Sequence, residues 1–192
     1  MIRIFPVAAP TTVSNDFGVA RAAGGRGHEG NDLFANEGSP LVAVDDGELR
    51  SGFDPLGGNI LNLRSSHDGV RYYYAHLSWF ADAAGNALTA PPPPRIVRVG
   101  DLIGFLGRIG NAATTLAHVH FEEHPCGGRC ATDPFPNLFR APRVAPNQRF
   151  TSTRPSDDLL RTLAIVALAG TSAWALLNQQ QAAQLVRRIL PT

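Results

Sequence analysis

Two short polar motifs constrain this chain more than any other feature of its sequence. The first is H-E-G-N-D, with His28 and Asp32 at its ends, and the second is H-V-H, with His118 and His120. Together they can supply three zinc ligands and leave one histidine beside the ion. A zinc ion with three protein ligands keeps its fourth position for water, which is typical of a catalytic site. The fold would then have to join segments about ninety residues apart.

The H-V-H motif predicts two histidines on one face of a strand. If residues 115–122 are extended, His118 and His120 point the same way, because side chains of a strand alternate with period two. One imidazole can then bind metal while the other stays free to move a proton.

The H-E-G-N-D motif has helical spacing without helical composition. His28 and Asp32 are four residues apart, but Gly27 and Gly30 disfavour a helix. We expect a glycine-rich loop or an irregular strand that turns both side chains inward. The alternative is that the four residues of the two motifs are ordinary polar residues of loops. Their occurrence together in these motifs makes this interpretation the weaker one.

The rest of the chain predicts β-structure. Gly, Pro, Asp and Asn separate short apolar runs, and Asp68-Gly69 is a two-residue hairpin signal between two of them. No long amphipathic helix is predicted before about residue 157. We expect an all-β core, an antiparallel sandwich or partly open barrel with the site in a groove over one sheet. The predicted strands cover residues 41–44, 48–52, 59–64, 70–75, 102–106 and 118–123.

Several segments of the chain follow one another in an order that is typical of a known family: residues 14–18, 28–32, 38–43, 46–49, 58–59, 74–77, 99–104 and 118–122. They resemble the corresponding segments of the lysostaphin-type (LytM-like) zinc endopeptidases, which cut peptidoglycan peptides. The resemblance covers roughly residues 5–140. It departs from the family at Leu116-Ala117, where Gly-Pro is usual, and at Val119, where Leu is frequent. These changes concern the wall of the cleft and therefore substrate preference.

The resemblance implies a role for each polar position. The zinc ligands would be His28, Asp32 and His120, with one ion per chain, and the catalytic histidines would be His76 and His118. Zinc would polarise the scissile carbonyl and lower the pKa of a water molecule. One histidine would act as general base, and the other would steady the oxyanion or protonate the leaving amine. The sequence does not assign these two roles.

Three more residues are expected near the ligands or in the groove. Glu122 follows the H-V-H motif and could orient an imidazole by a hydrogen bond, although a plain carboxylate of the groove fits as well. Asn59 and Thr115 are expected at the groove. His67, beside a predicted turn, is expected to be solvated.

Two cysteines follow the last predicted strand. Cys126 and Cys130 flank Gly-Gly-Arg, which predicts a hairpin disulfide and an oxidising compartment. A second metal site that includes His124, or two reduced thiols, are the alternatives.

Net charge and amino-acid composition disfavour several other functions. The net charge is +1 and gives no reason to expect nucleic acid as a partner. None of the 17 basic residues is lysine, so a biotinyl or lipoyl carrier domain is excluded. A phosphotransfer domain would leave His28 and Asp32 unexplained. A catalytically silent wall-binding or hydrolase-activating domain of the same fold is the main alternative, although the complete ligand set favours an enzyme.

The C-terminal part differs in composition. We predict a peptidase domain in residues 1–150 and a linker with an apolar helix in residues 151–192. The apolar run 159–177 is short for a membrane span, which needs about twenty residues, so an anchor and a helix packed on protein are equally expected. The N-terminus does not resemble a signal peptide. We expect the chain to act at the cell wall, in the periplasm or outside the cell. It would reach these places by export through its C-terminal segment, by dedicated export machinery, by cell lysis or as part of a phage particle.

Overall fold

The computed structural model describes residues 1–21 and 27–144. All of them fall within one compact unit of the chain, Met1–Ser152. Within these two ranges, no helix is long and apolar enough to cross a membrane. The apolar helix predicted at residues 159–177 lies outside the described residues, as do the rest of the tail and its boundary near residue 150.

The described part of the chain is built almost entirely of short strands. A 3₁₀ turn, Gly110–Ala112, precedes the last strand, and one short helix, α1, follows it at Phe135–Arg140. The strands are β1 Thr12–Val13, β2 Asn31–Phe34, β3 Pro40–Val42, β4 Gly47–Asp54, β5 Gly58–Ser65, β6 Arg71–Leu77, β7 Trp79–Ala81, β8 Ala87–Leu88, β9 Arg95–Val97, β10 Leu102–Phe105 and β11 His118–His124.

The strands form two antiparallel sheets. The larger sheet has the order β1-β2-β11-β6-β5-β4-β9 and the smaller one β3-β10-β7-β8. The larger sheet ends in β1 on one side and β9 on the other, so it does not close into a barrel within the described residues. The predicted antiparallel all-β architecture is confirmed.

The hydrophobic core joins the two sheets. It includes Leu61 and Tyr74 from the larger sheet together with Phe80 and Ile103 from the smaller one, all fully buried. Burial of each such side chain contributes roughly 1.5–3 kcal/mol. Because side chains alternate along a strand, β6 sends Tyr74 into this core and presents Tyr73 on the opposite face, where the groove lies.

The hairpin predicted at Asp68-Gly69 forms between β5 and β6, but its connection is longer than predicted. Residues 66–70 link the two strands, with Gly69 at a φ of +72°. The two-residue prediction is wrong because Asp68 and Ser65 cap backbone N–H groups within a wider loop.

Candidate metal centre and groove

The register of β2 and β11 brings the two polar motifs together. His120 lies directly opposite Asp32, and His118 lies opposite Phe34. His118 and His120 therefore share the face that carries Asp32, as period two requires. His28 precedes β2, and its backbone exchanges hydrogen bonds with Gly18 and Val19 at 2.8 and 2.9 Å, which hold its ring over the same face.

The potential ligand atoms of three of these side chains converge on one point. Asp32 Oδ1 lies 3.1 Å from His28 Nε2 and 3.1 Å from His120 Nδ1, and the two nitrogens are 2.7 Å apart. Two imidazoles and a carboxylate are a donor set of catalytic zinc sites. Nitrogens this close require a proton or a cation between them, so the geometry fits a metal ion. His28, Asp32 and His120 thus form a potential metal site.

The electrostatics of the cluster favour a bound cation. Burial disfavours the charged carboxylate of Asp32, but hydrogen bonds from His120 and His28 outweigh burial and hold its pKa well below the usual range. Burial also opposes the charge of His120, whose hydrogen bonds to Asp32 and Glu122 nevertheless raise its pKa to about 9. Asp32 therefore stays ionised and, together with Glu122, favours a positive charge on or beside His120, either a proton or a bound cation.

The other two histidines stand beside the potential metal donors, and each has one ring nitrogen hydrogen-bonded to a backbone carbonyl. Nδ1–H of His118 donates to the Leu116 carbonyl at 2.8 Å, and Nδ1–H of His76 donates to the Ile109 carbonyl at 2.9 Å. Their ring centroids are 4.9 Å apart, and His118 Nε2 lies 3.8 Å from Asp32 Oδ1. Both rings are therefore left with an unprotonated Nε2 when neutral.

His76 has an unusual backbone and a perturbed pKa. Its φ of +70° is the only positive value among the described non-glycine residues. The irregularity in the pairing of β5 with β6 lies nearby, between Asn59 and Leu61. Burial lowers the pKa of His76 to about 4, against the opposing effect of its hydrogen bond to Ile109. His76 is consequently neutral at pH 7.

Glu122 contacts a potential ligand. Its Oε1 lies 2.9 Å from His120 Nε2, where a carboxylate that orients the imidazole is expected. Burial would raise the pKa of Glu122, but hydrogen bonds from His120 and His124 outweigh burial and lower it to about 2. Glu122 is therefore ionised and accepts from His120.

Thr115 and Asn59 differ in their relation to the groove. Thr115 lines it and donates to the Ala112 carbonyl at 2.9 Å. Asn59 instead donates to the Leu77 and Ser78 carbonyls at 3.0 and 3.4 Å, and it is not among the groove-lining residues. Its amide ties β5 to the end of β6.

A groove of about 770 Å³ contains the whole constellation. Its walls combine the potential metal donors with aromatic and small side chains. The lining residues are Arg21, Gly27, His28, Glu29, Asp32, Phe34, Leu56, Gly57, Tyr73, Ala75, His76, Asn111, Ala112, Thr115, His118, His120 and Glu122.

Sequence reasoning missed two charged residues at this site. Asp16 Oδ1 lies 3.1 Å from His28 Nδ1, and Arg21 Nη2 lies 2.8 Å from Asp16 and 2.7 Å from Asp32. Because like charges repel, a cation at the donor atoms and Arg21 in this position exclude one another. Asp16 stands in a segment of the resemblance, whereas no pattern in the sequence marks Arg21.

The remaining predicted groups lie apart from the three donors. Cys126 and Cys130 are joined by a disulfide, which overturns the alternatives of a metal site and of two free thiols. A second His/Asp cluster contains His67, whose Nδ1 lies 2.9 Å from Asp45. Arg3 and Ser65 already bind that carboxylate, at 3.2 and 2.9 Å, so the cluster has a structural explanation.

Comparison with known proteins decides the family. The family model of Peptidase family M23 matches residues 26–132, more than half of the chain. The chain belongs to peptidase family M23. This confirms the resemblance to lysostaphin-type endopeptidases.

Relatives and structures of this M23 chain agree with that assignment. It is 30% identical to the L-Ala–D-Glu endopeptidase of Bacillus subtilis (strain 168), over 69% of this chain and 41% of the relative. It is 34% identical to the glycyl-glycine endopeptidase ALE-1 of Staphylococcus capitis, over 59% and 30%. The chain thus spans less than half the length of either curated relative.

The fold matches that of a solved peptidase domain. The catalytic domain of the antimicrobial peptidase lysostaphin from Staphylococcus simulans superposes with a TM-score of 0.55 at 28% identity. The match covers 67% of this chain and 92% of that domain. The two-sheet core described above is therefore an M23 fold.

Proposed function

We propose that this chain hydrolyses peptide bonds of bacterial peptidoglycan, in the stem peptide or the cross-bridge, with one zinc ion per chain. The names of its relatives, an L-Ala–D-Glu and a glycyl-glycine endopeptidase, support the reaction class. The observation that carries the proposal is the groove itself, which contains three converging metal donors and two further histidines. Metal-assisted hydrolysis needs an electrophile and a proton acceptor within reach of one bond.

The metal would be held by His28 Nε2, a carboxylate oxygen of Asp32 and His120 Nδ1. When bound, zinc supplies Lewis-acid polarisation of the scissile carbonyl and lowers the pKa of the attacking water. The side chains of this site are nearly buried. Electrostatic interactions inside it are therefore stronger than they would be in water.

His118 is the better candidate for the general base. Its free Nε2 is 3.8 Å from Asp32 Oδ1, close to the point where the donors meet, and its Nδ1–H is fixed on the Leu116 carbonyl. After accepting a proton at Nε2, His118 can return it to the leaving amine. His76 has a pKa of about 4, so it holds a proton poorly at pH 7 and would mainly position the substrate or the water.

The location of the reaction follows from its substrate. We propose action at the cell wall or in the periplasm. The disulfide between Cys126 and Cys130 supports this location, because disulfides persist in oxidising compartments.

The test uses the full chain and three alanine variants. We expect about one zinc per chain in the wild type, release of soluble fragments from purified peptidoglycan, and mass spectra that identify the cleaved bond. His118→Ala should keep zinc and lose activity, whereas Asp32→Ala should lose both. His67→Ala, a histidine outside the groove, is the matched control and should keep both.

Two results would overturn the proposal. A folded wild type without zinc would remove the metal site, and zinc without fragments from several wall chemistries would favour the catalytically silent wall-binding domain. The reverse pattern in the variants, zinc lost in His118→Ala and kept in Asp32→Ala, would overturn the assignment of the ligands.

A further inference from the structure

His124 is a buried histidine that the proposed mechanism does not use. It ends β11 and is only 1% exposed. Because side chains of a strand alternate, it shares a face with His120 and Glu122. Its Nε2 lies 2.6 Å from Glu122 Oε2, so it contacts the same carboxylate that receives the metal ligand His120.

The protonation of this ring is set by a backbone group. The N–H of Cys130 donates to His124 Nδ1 at 3.1 Å, so Nδ1 carries no proton. A neutral His124 must then carry its proton on Nε2 and donate it to Glu122. The other oxygen of Glu122 accepts Nε2–H of His120 at 2.9 Å. In its neutral form, which metal binding requires, His120 then keeps its proton on Nε2 and its lone pair on Nδ1, the atom that faces Asp32 and His28.

The loop that supplies the Cys130 N–H is held in several ways. The disulfide with Cys126 closes it, and the N–H of Cys126 also contacts the Cys130 sulfur at 2.9 Å. The Gly127 N–H donates to the His124 carbonyl at 3.0 Å. From β6, Arg71 donates to the Gly128 carbonyl through Nε at 3.2 Å and Nη2 at 3.0 Å. The loop is thus fixed against the end of β11.

We propose that His124 and the disulfide-closed loop 126–130 are positioning elements for the metal ligand His120, acting through Glu122. This inference rests on the proposed zinc site. Groups that orient a ligating imidazole hold its tautomer and ring plane, and their loss typically weakens metal binding by about 10–100-fold. Here the orienting carboxylate is itself fixed by a second histidine and by a covalently closed loop.

The variants separate the two hydrogen bonds of His124. His124→Ala removes both. His124→Gln retains an N–H donor near the former Nε2 and loses the acceptor for Cys130. The double variant Cys126→Ser/Cys130→Ser keeps His124 and opens the loop. His67→Gln is the matched control, because it replaces a histidine that contacts neither Glu122 nor the loop.

Zinc affinity, measured on the full chain by competition with a chromophoric chelator, is the first readout. We expect about tenfold weaker binding for His124→Ala, a smaller loss for His124→Gln and for the double variant, and none for His67→Gln. The second readout is the nitrogen chemical shifts of the histidine rings, which report the tautomer. Measured without zinc and above the His120 pKa of about 9, the wild type should show protonated Nε2 for His120 and His124, and His124→Ala should show a mixture of tautomers for His120.

The outcomes distinguish this inference from the function on which it depends. A wild type that binds no zinc would refute the proposed zinc site. A wild type that binds zinc, with His124→Ala and the double variant within twofold of it and an unchanged His120 tautomer, would refute only the positioning role. If His124→Ala does not fold, the wild-type spectrum still decides, because a proton on Nδ1 of His124 would contradict the chain of hydrogen bonds.

Discussion

Gly30→Ala adds a single methyl group and should lower both the stability of the fold and the affinity of the site for zinc. Gly30 lies between His28 and Asp32, and its backbone packs against β11. A Cβ at this position would meet the Phe121 carbonyl oxygen first, well inside van der Waals contact, and would lie 2.8 Å from the Phe121 carbonyl carbon and 3.0 Å from His120 Cε1. The first two atoms are backbone of a strand paired on both sides, so they cannot move aside cheaply.

The expected cost follows from the kind of contact. Overpacking by a methylene group typically costs about 1–3 kcal/mol, and a clash with paired backbone places Gly30→Ala near about 3 kcal/mol. For a chain of this length, each kcal/mol lowers Tm by about 2–4 °C, so a fall of about 6–12 °C is expected. Displacement of His120 should also weaken zinc binding by at least about tenfold.

Gly52→Ala is the matched control for this prediction. A Cβ there would meet nothing closer than Ile60 Cγ1 at 3.9 Å, an ordinary contact. Reduced freedom of the unfolded chain should leave its stability within about 1 kcal/mol of wild type. Thermal unfolding with and without chelator, together with zinc titration, compares the two variants. Equal Tm values and equal zinc affinities would refute the packing argument.

Two further predictions concern the core and the pH dependence of stability. Tyr74→Phe should lower the free energy of unfolding by about 1–3 kcal/mol, because the Tyr74 hydroxyl donates to the Val42 carbonyl at 3.1 Å and accepts from the Val44 N–H at 3.2 Å. Tyr72→Phe should be nearly neutral, because within the described part of the chain its buried hydroxyl has no hydrogen-bond partner; denaturant titration that ranks the two the other way would contradict this. The pKa of His76 is about 4 in the folded chain and about 6.5 in the unfolded chain, so the unfolded chain takes up the proton first as the pH falls. Protonation of His76 should therefore lower the free energy of unfolding by up to about 3 kcal/mol between pH 6.5 and pH 4. His76→Asn, which tolerates the positive φ, should abolish that part of the fall, and an unchanged pH dependence would show that other groups cause it.

The sequence predicts the strands that are long enough to show a regular alternation of apolar and polar residues. All six predicted strands overlap observed ones, because their apolar periodicity reflects burial against the core. The predicted strands do not include β1, β7, β8 and β9, which have only two or three residues. They also omit the four-residue β2, where the sequence left a glycine-rich loop or an irregular strand open. Strands this short contain too little periodic sequence, and the positions of β1 and β9 depend on pairing with β2 and β4, which are distant in the chain.

In the candidate site, too, the sequence predicts some residues and not others. The motifs locate the three potential metal donors, since period two and the H-x-H spacing are local properties. They do not locate Arg21, whose contacts with Asp16 and Asp32 depend on how a loop folds back. The sequence considers His124 only as a possible partner of the two cysteines, because the predicted strand ends at residue 123, one short of the observed end. That single residue places His124 on the face of His120, where period two would have found it.

The different capacities of His118 and His120 originate in what each ring's second nitrogen contacts. The two residues share a face of β11, yet the Leu116 carbonyl receives Nδ1–H of His118 whereas Glu122 receives Nε2–H of His120. A hydrogen bond at one ring nitrogen fixes which nitrogen keeps its lone pair. When the rings are neutral, His118 therefore keeps its lone pair on Nε2, toward the groove, and His120 keeps its lone pair on Nδ1, toward Asp32 and His28. His76, with Nδ1–H on the Ile109 carbonyl, has the same pattern as His118. The acceptors are backbone carbonyls for the two histidines proposed to act on substrate and a carboxylate for the proposed ligand, and a carboxylate acceptor raises the basicity of a metal-binding imidazole. The proposed roles of the three histidines thus depend on which acceptor the fold provides for the N–H group of each ring.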